Sequence, residues 1–241
     1  VRRIAEEHPV RSRVCVAYTG GTIGMAPTPQ GYAPSAGSLR DFVESLVADA
    51  GNELPTVEFV ELDPPIDSSN ATPATWRRIA ETVFARRDEF DGFVILHGTD
   101  TMAYTSSALS FLLPGFGKPV VVTGSQVPLC VARSDGRQNL IGALQVAAAG
   151  GVREVCLLFG SKVLRGNRAT KVDASSLDAF DSPSLPPLAR LGVSIDVDRR
   201  IAAPLAREPH LVGCGHSHVA AISLFPGIEA SVLENLCRPP L

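Results

Sequence analysis

The chain has 241 residues, 45% of them hydrophobic, and a formal net charge of −3. That is material for one large domain or for one and a fraction, without the basic surface that nucleic acid needs or the acidic tail of a solvating segment. Cys15, Cys130, Cys156, Cys214 and Cys237 are scattered and odd in number, and Cys15 and Cys156 sit in apolar strand-like runs, which points to reduced thiols in a reducing compartment.

Residues 1–13 carry neither the apolar stretch of a secretory signal nor a membrane span, so the reading is cytoplasmic, with no membrane partner. Val1 in place of Met points to an alternative start or an incomplete N-terminus. Residues 14–18 read as a buried strand that breaks at once into Thr19-Gly20-Gly21-Thr22. Paired glycines let a ligand approach the backbone, so that both hydroxyls and the local N–H groups face one pocket, although an ordinary turn uses the same residues. Residues 26–38 hold Pro27, Pro29, Gly31, Pro34 and Gly37. Such a density of breakers predicts a long loop with neither helix nor central strand, and its place after Thr22, with Tyr32 on it, points to a lid. Residues 39–48 put Leu39, Phe42, Val43, Leu46 and Val47 on one face of a helix.

Residues 56–62 alternate as a second strand. Asp67-Ser68-Ser69-Asn70 then serves either as turn and cap or as a pocket wall, before Thr72-Pro73 opens a helix to about residue 87 with Trp76, Ile79, Ala80 and Val83 inward. A third strand, 92–96, ends in His97-Gly98-Thr99-Asp100-Thr101 and a helix over 103–113. The fourth, 118–123, ends in Gly124-Ser125-Gln126, and a helix follows over 139–149. The fifth, 154–159, leads into a polar segment, 161–171, with Arg165, Arg168 and Lys171. This alternation predicts an α/β fold with a large N-terminal domain, its mainly parallel sheet flanked by helices on both faces. Ligands bind such sheets beyond the carboxyl ends of the strands, where Thr22, Ser68, Thr99 and Asp100 converge.

From residue 182, prolines and irregular sequence to 210 predict a linker, followed by a strand over 218–225 and a helix over 228–236. One strand and one helix cannot bury their apolar faces alone. The expected division is therefore an N-terminal domain over residues 1–190, a linker over 191–215, and over 216–241 the first strand and helix of a truncated, smaller C-terminal α/β domain.

No Gly-x-Ser-x-Gly elbow, Walker sequence or zinc-protease motif is present, and Gly20-Gly21-x-x-Gly24 lacks the spacing that wraps a pyrophosphate. Cys214, His216 and His218 are metal-donor types, but alternation on a strand would not enclose an ion, so packing is the preferred reading and no metal is assigned. A threonine nucleophile needs a base and donors for the developing oxyanion. Lys171 is the candidate base and Asp100 its holder, making Thr99, Lys171 and Asp100 a hydroxyl, amine and carboxylate relay, while ammonium and carboxylate equally form a plain salt bridge.

The runs Ala17-Tyr18-Thr19-Gly20-Gly21-Thr22-Ile23-Gly24-Met25, His97-Gly98-Thr99-Asp100-Thr101-Met102-Ala103-Tyr104, Val122-Thr123-Gly124-Ser125-Gln126-Val127-Pro128-Leu129 and Arg165-Gly166-Asn167-Arg168-Ala169-Thr170-Lys171 resemble the bacterial L-asparaginases, in their cytoplasmic type I branch. The resemblance implies hydrolysis of L-asparagine to L-aspartate and ammonia, without metal or organic cofactor, by a homodimer or homotetramer. It implies Thr22 as nucleophile through an acyl-enzyme and Tyr32 as the lid tyrosine that supports it. Thr99, Asp100 and Lys171 correspond to the second catalytic group. Asp67, Ser68 and Ser69 correspond to the segment that holds the α-carboxylate, with Thr99 and Asp100 also facing the substrate and Asp100 taking its α-ammonium. Thr170 is the one position assignable to an allosteric asparagine site. Family sites lie between subunits and are completed from a neighbour's C-terminal domain, so the resemblance implies an impaired enzyme here. Two alternatives stand beside it: a non-catalytic module that binds asparagine or aspartate, and a glutaminase or amidotransferase-related amidase.

Overall fold

The structure, a computed structural model, describes residues 11–202, 208–213, 219 and 221–237. Strand β1 (Arg13–Tyr18) is buried from its second residue to its last. After the glycine turn and a 3-10 turn at Thr22–Gly24, β2 (Met25–Thr28) and β3 (Gly31–Pro34) pair antiparallel. The segment expected to be an irregular loop is thus a hairpin. A two-stranded ribbon has open edges on both sides, so its prolines withhold no N–H that a third strand would require.

Helix α1 (Ala36–Asp49) begins three residues before the apolar spacing predicts. β4 (Thr56–Glu61) leads to the 3-10 turn Ser68–Asn70 and to α2 (Pro73–Ala85), which opens on a capping box between Thr72 and Thr75 with Pro73 in the first turn. β5 (Gly92–Leu96), α3 (Met102–Leu112), β6 (Val120–Thr123), α4 (Gly136–Ala149) and β7 (Val155–Phe159) follow in the expected alternation. Then come β8 (Lys162–Arg165), β9 (Thr170–Lys171), β10 (Phe180–Asp181), β11 (Ala189–Leu191), β12 (Ile195–Val197) and α5 (Ala230–Leu236).

The main sheet has the order β12-β11-β8-β7-β6-β5-β1-β4. β4, β1, β5, β6 and β7 run parallel, and β8 turns back antiparallel on β7. Two expectations are corrected here: β8 lies inside the segment read as a polar connection, and β11 and β12 lie inside the segment read as a linker. The sheet accordingly continues to Val197, beyond residue 190, where the first domain was expected to end. Strands of three or four residues at a sheet edge contain too few alternations to show a period.

One face of the sheet is covered by α1 and α4, through Leu39, Val43, Leu46, Leu140 and Leu144, and the other by α2 and α3, through Ile79, Val83, Met102, Leu109 and Leu112. Burial on both faces is why β1, β5, β6 and β7 are nearly continuous apolar runs. After β1 the chain crosses to β4 on one side, then returns to place β5 on the other, so the strand order reverses between β1 and β5. A crevice opens at such a switch point, beyond the carboxyl ends of the two strands.

Residues 221–225 form no strand, and α5, inside the expected helix, has no buried residue. Cys214, His216 and His218 lie outside the described residues, as does the first residue of the expected strand. Among the described residues no helix is long and apolar enough to cross a membrane.

Candidate active site

The ends of β1 and β5 are knitted together: the Thr19 N–H and hydroxyl both donate to the Leu96 carbonyl, at 3.0 and 2.9 Å. Gly21 sits at φ 96°, a region side chains rarely adopt, and a Cβ there would lie 2.6 Å from the Gly98 Cα. A Cβ on Gly98 would in turn lie 2.7 Å from the Ser68 Cβ. Glycine at both positions lets three turns, 19–24, 66–70 and 97–101, close on one another. The Ile66 N–H donates to the Thr19 carbonyl at 2.6 Å and the Thr101 hydroxyl to the Ser68 carbonyl at 2.7 Å.

Thr22 is half-buried at the start of its 3-10 turn, and neither its hydroxyl nor its N–H has a hydrogen-bond partner among the described residues. The same holds for the Thr99 N–H. Unpaired donors at the rim of a crevice are groups for which a ligand is the natural partner. Tyr18 and Ser125 bury hydroxyls that lack a described partner, and burial pushes Tyr18 up to about 12.

Thr99 is 7% exposed and carries the most connected hydroxyl of the group. Its Oγ1 accepts from Lys171 Nζ at 3.0 Å and donates to Gln126 Oε1 at 3.0 Å. Lys171, on β9, also reaches Asp100 Oδ1 at 3.3 Å; its side chain is 21% exposed against 65% for Asp100. The relay foreseen from sequence is therefore assembled in space, together with a residue that sequence reasoning gave no role. Gln126 follows β6 in the same kind of polar turn as the other site residues, and the carboxyl-end rule applied to that strand would have found it. Its Nε2 donates to the carbonyls of Ala174 and Ser176, and its N–H donates to the Asp135 carboxylate. Asp135 also accepts from the Val127 N–H and from Asn139 Nδ2. The loop after Lys171 is shaped by Asp173, whose carboxyl is held below its usual range by hydrogen bonds from the Ser175 N–H, the Ser175 hydroxyl and the Ser176 N–H.

Ser68 is buried against Gly98, but Asp67 and Ser69 are exposed. The Asp67 carboxylate is occupied as a cap, accepting from the Ser69 N–H at 3.0 Å and from Asn70 Nδ2 at 3.2 Å. Tyr32 stands on β3, 53% exposed, and its hydroxyl makes no hydrogen bond to Thr22 or to any other described residue. Thr170, beside Lys171, is exposed. Among the described residues no three His, Cys, Asp or Glu side chains are grouped as metal ligands.

One further chain of contacts runs beneath the site. His97 is 1% exposed, and burial lowers its pKa against a smaller opposing effect from its bond to the Gly98 carbonyl. His97 Nδ1 lies 2.7 Å from that carbonyl, Nε2 lies 2.9 Å from Thr105 Oγ1, and Trp76 Nε1 donates to the same Oγ1 at 3.1 Å.

The family model described as "Asparaginase, N-terminal" matches residues 13–203. L-asparaginase 1 of Escherichia coli K12 is 47% identical over 237 residues, covering 96% of this chain and 69% of that protein. The crystal structure of L-asparaginase I from Vibrio cholerae superposes with a TM-score of 0.88 at 41% identity, covering 96% of this chain and 70% of that one. The thermostable L-asparaginase of Thermococcus kodakarensis gives a TM-score of 0.82 at 34% identity, over 93% and 67%.

Proposed function

This chain belongs to the asparaginase family, and from that premise we propose that it hydrolyses L-asparagine to L-aspartate and ammonia through an acyl-enzyme on Thr22. The observation that carries the reading is the contact of Lys171 Nζ with both Thr99 Oγ1 and Asp100 Oδ1, across more than 70 residues of sequence, at the crevice onto which Thr22 opens.

Thr22 Oγ1 attacks the side-chain carboxamide carbon, and the tetrahedral oxyanion takes the unpaired N–H groups of Thr22 and Thr99 as its donors. The threonine proton passes to the amide nitrogen, the C–N bond breaks and ammonia leaves. Water then attacks the ester, returning a proton to Thr22 and releasing aspartate. In the resting arrangement the Thr99 hydrogen points at Gln126 while Lys171 donates to the Thr99 oxygen. For Lys171 to act as base its amine must be neutral and that hydrogen must rotate toward Nζ, a turn about one bond with the heavy atoms already 3.0 Å apart.

A zwitterionic substrate needs donors at its carboxylate and a carboxylate at its ammonium. Ser68 and the local N–H groups serve the first end, with Asp67 and Ser69 shaping that turn, and Asp100 serves the second. Tyr32 reaches the nucleophile only when the β2–β3 hairpin swings over the crevice, which is the lid's task. The reading extends to a cytoplasmic homodimer or homotetramer in which the exposed α5 and the segment before it belong to a second α/β domain. Thr170 is assigned, on its position beside Lys171 alone, to an allosteric site.

The test is ammonia release from L-asparagine and L-glutamine by the protein and by Thr22→Ala, with aspartate binding followed by calorimetry. Release that prefers asparagine and is lost in Thr22→Ala, with aspartate still bound, is expected. Release that survives Thr22→Ala refutes the nucleophile. Aspartate binding without release by the wild type makes the chain a binding module.

A further inference from the structure

His97 lies directly before the site residues Gly98, Thr99 and Asp100, but it is buried and cannot meet substrate. Its partners and its burial together fix the direction of its hydrogen bonds. An indole N–H donates and never accepts, so Trp76 Nε1 must donate to Thr105 Oγ1. At the other end a backbone carbonyl only accepts, so His97 Nδ1 must carry a proton to meet the Gly98 oxygen at 2.7 Å. Between them, a second proton on His97 would make a buried imidazolium, which burial disfavours, so Nε2 is bare and accepts the Thr105 hydrogen at 2.9 Å. In that tautomer every polar hydrogen of the chain Trp76, Thr105, His97, Gly98 has an acceptor, and the chain ties α2, α3 and the end of β5 together.

Its last bond acts on the site. In a trans peptide the C=O and N–H point opposite ways, so holding the Gly98 carbonyl inward against His97 turns the Thr99 N–H outward, and that N–H has no described acceptor. We propose that His97 is a positioning residue for amide hydrolysis: as the neutral Nδ1–H imidazole it pins the Gly98 carbonyl, and thereby aims the Thr99 N–H at the oxyanion. This rests on the hydrolytic reading above. Donors fixed in advance are what make such a site effective, because they need no reorganisation when the charge develops.

Two substitutions separate positioning from packing. The Nδ2 of His97→Asn falls where Nδ1 was and donates to the Gly98 carbonyl, whereas the amide of His97→Gln reaches the Nε2 position and meets Thr105 but not Gly98. Positioning predicts that kcat falls about tenfold or more in His97→Gln, with KM changed by less than about threefold, and that His97→Asn stays within about threefold of wild type in both. Space-filling predicts the opposite order, since glutamine is the larger side chain. Nitrogen-15 NMR of the wild-type imidazole supplies a readout that needs no turnover: protonated Nδ1 and bare Nε2 are expected, with the Thr99 amide resonance displaced in His97→Gln and retained in His97→Asn. A wild-type proton on Nε2, or equal Thr99 displacement and equal kcat in the two variants, overturns the proposal. Absence of ammonia release by the wild type would sink the hydrolytic reading instead, and the two NMR readouts would still decide whether His97 holds the Gly98 peptide.

Discussion

Lys171→Met separates what the relay contributes to catalysis from what it contributes to the fold. The Lys171–Asp100 pair spans 3.3 Å between a side chain 21% exposed and one 65% exposed. An ion pair so open to water is worth about 0–1 kcal/mol of stability. Thr99 loses one donor, but its hydroxyl still donates to Gln126 Oε1 at 3.0 Å, so the group keeps a hydrogen bond and the loss is that of one contact. Methionine fills the stem's volume and leaves the neighbouring backbone undisturbed. Stability should therefore fall by about 1 kcal/mol at most. Catalysis should fall far more, because a positioned general base contributes about 10²- to 10⁴-fold, or roughly 3–5 kcal/mol in the barrier. The assay is kcat for ammonia release beside a urea melt of the same preparation. A kcat within tenfold of wild type would refute the relay. A stability loss above about 3 kcal/mol would show that the contact is chiefly structural.

Gly98→Ala should lower stability by about 1–3 kcal/mol and depress turnover, because its Cβ would sit 2.7 Å from the Ser68 Cβ and force the two turns apart. Denaturant midpoints check the first effect, and Ser68→Gly, by making room, should partly restore it. Acid should destabilise the fold through His97, whose pKa is lowered by burial. The unfolded chain takes up that proton near the ordinary value of about 6.5 and the folded chain does not, so stability is full above that pH and is lost as the pH falls below it, by up to about 1.4 kcal/mol per unit. Urea melts between pH 5 and 7.5 should show the slope, and it should flatten in His97→Asn. Iodoacetamide at neutral pH should label Cys130 and Cys237 and spare Cys15 and Cys156, since the latter two are buried and Cys15 is pushed up to about 11. Rapid labelling of Cys156 in the native protein, read by peptide mass spectrometry, would contradict its place in the sheet.

Local composition was enough to place the helices and the central strands. β1, β5, β6 and β7 had to be apolar along their whole length because helices cover both faces of the sheet, and the breakers after each strand marked where the chain turns. The same local rule misread residues 26–38, where proline density ruled out a central strand but not a free hairpin, and it passed over β8, β11 and β12, too short to show a period. Thr22, Thr99, Asp100 and Lys171 could be named as candidates because a hydroxyl, a carboxylate and an amine have recognisable chemistry. Only the tertiary structure decided that Lys171 meets Thr99, that Gln126 joins them, and that His97 lies behind the Gly98 peptide. Those contacts depend on strand order, and strand order is set by how the whole sheet buries its two faces, which no local stretch of sequence encodes.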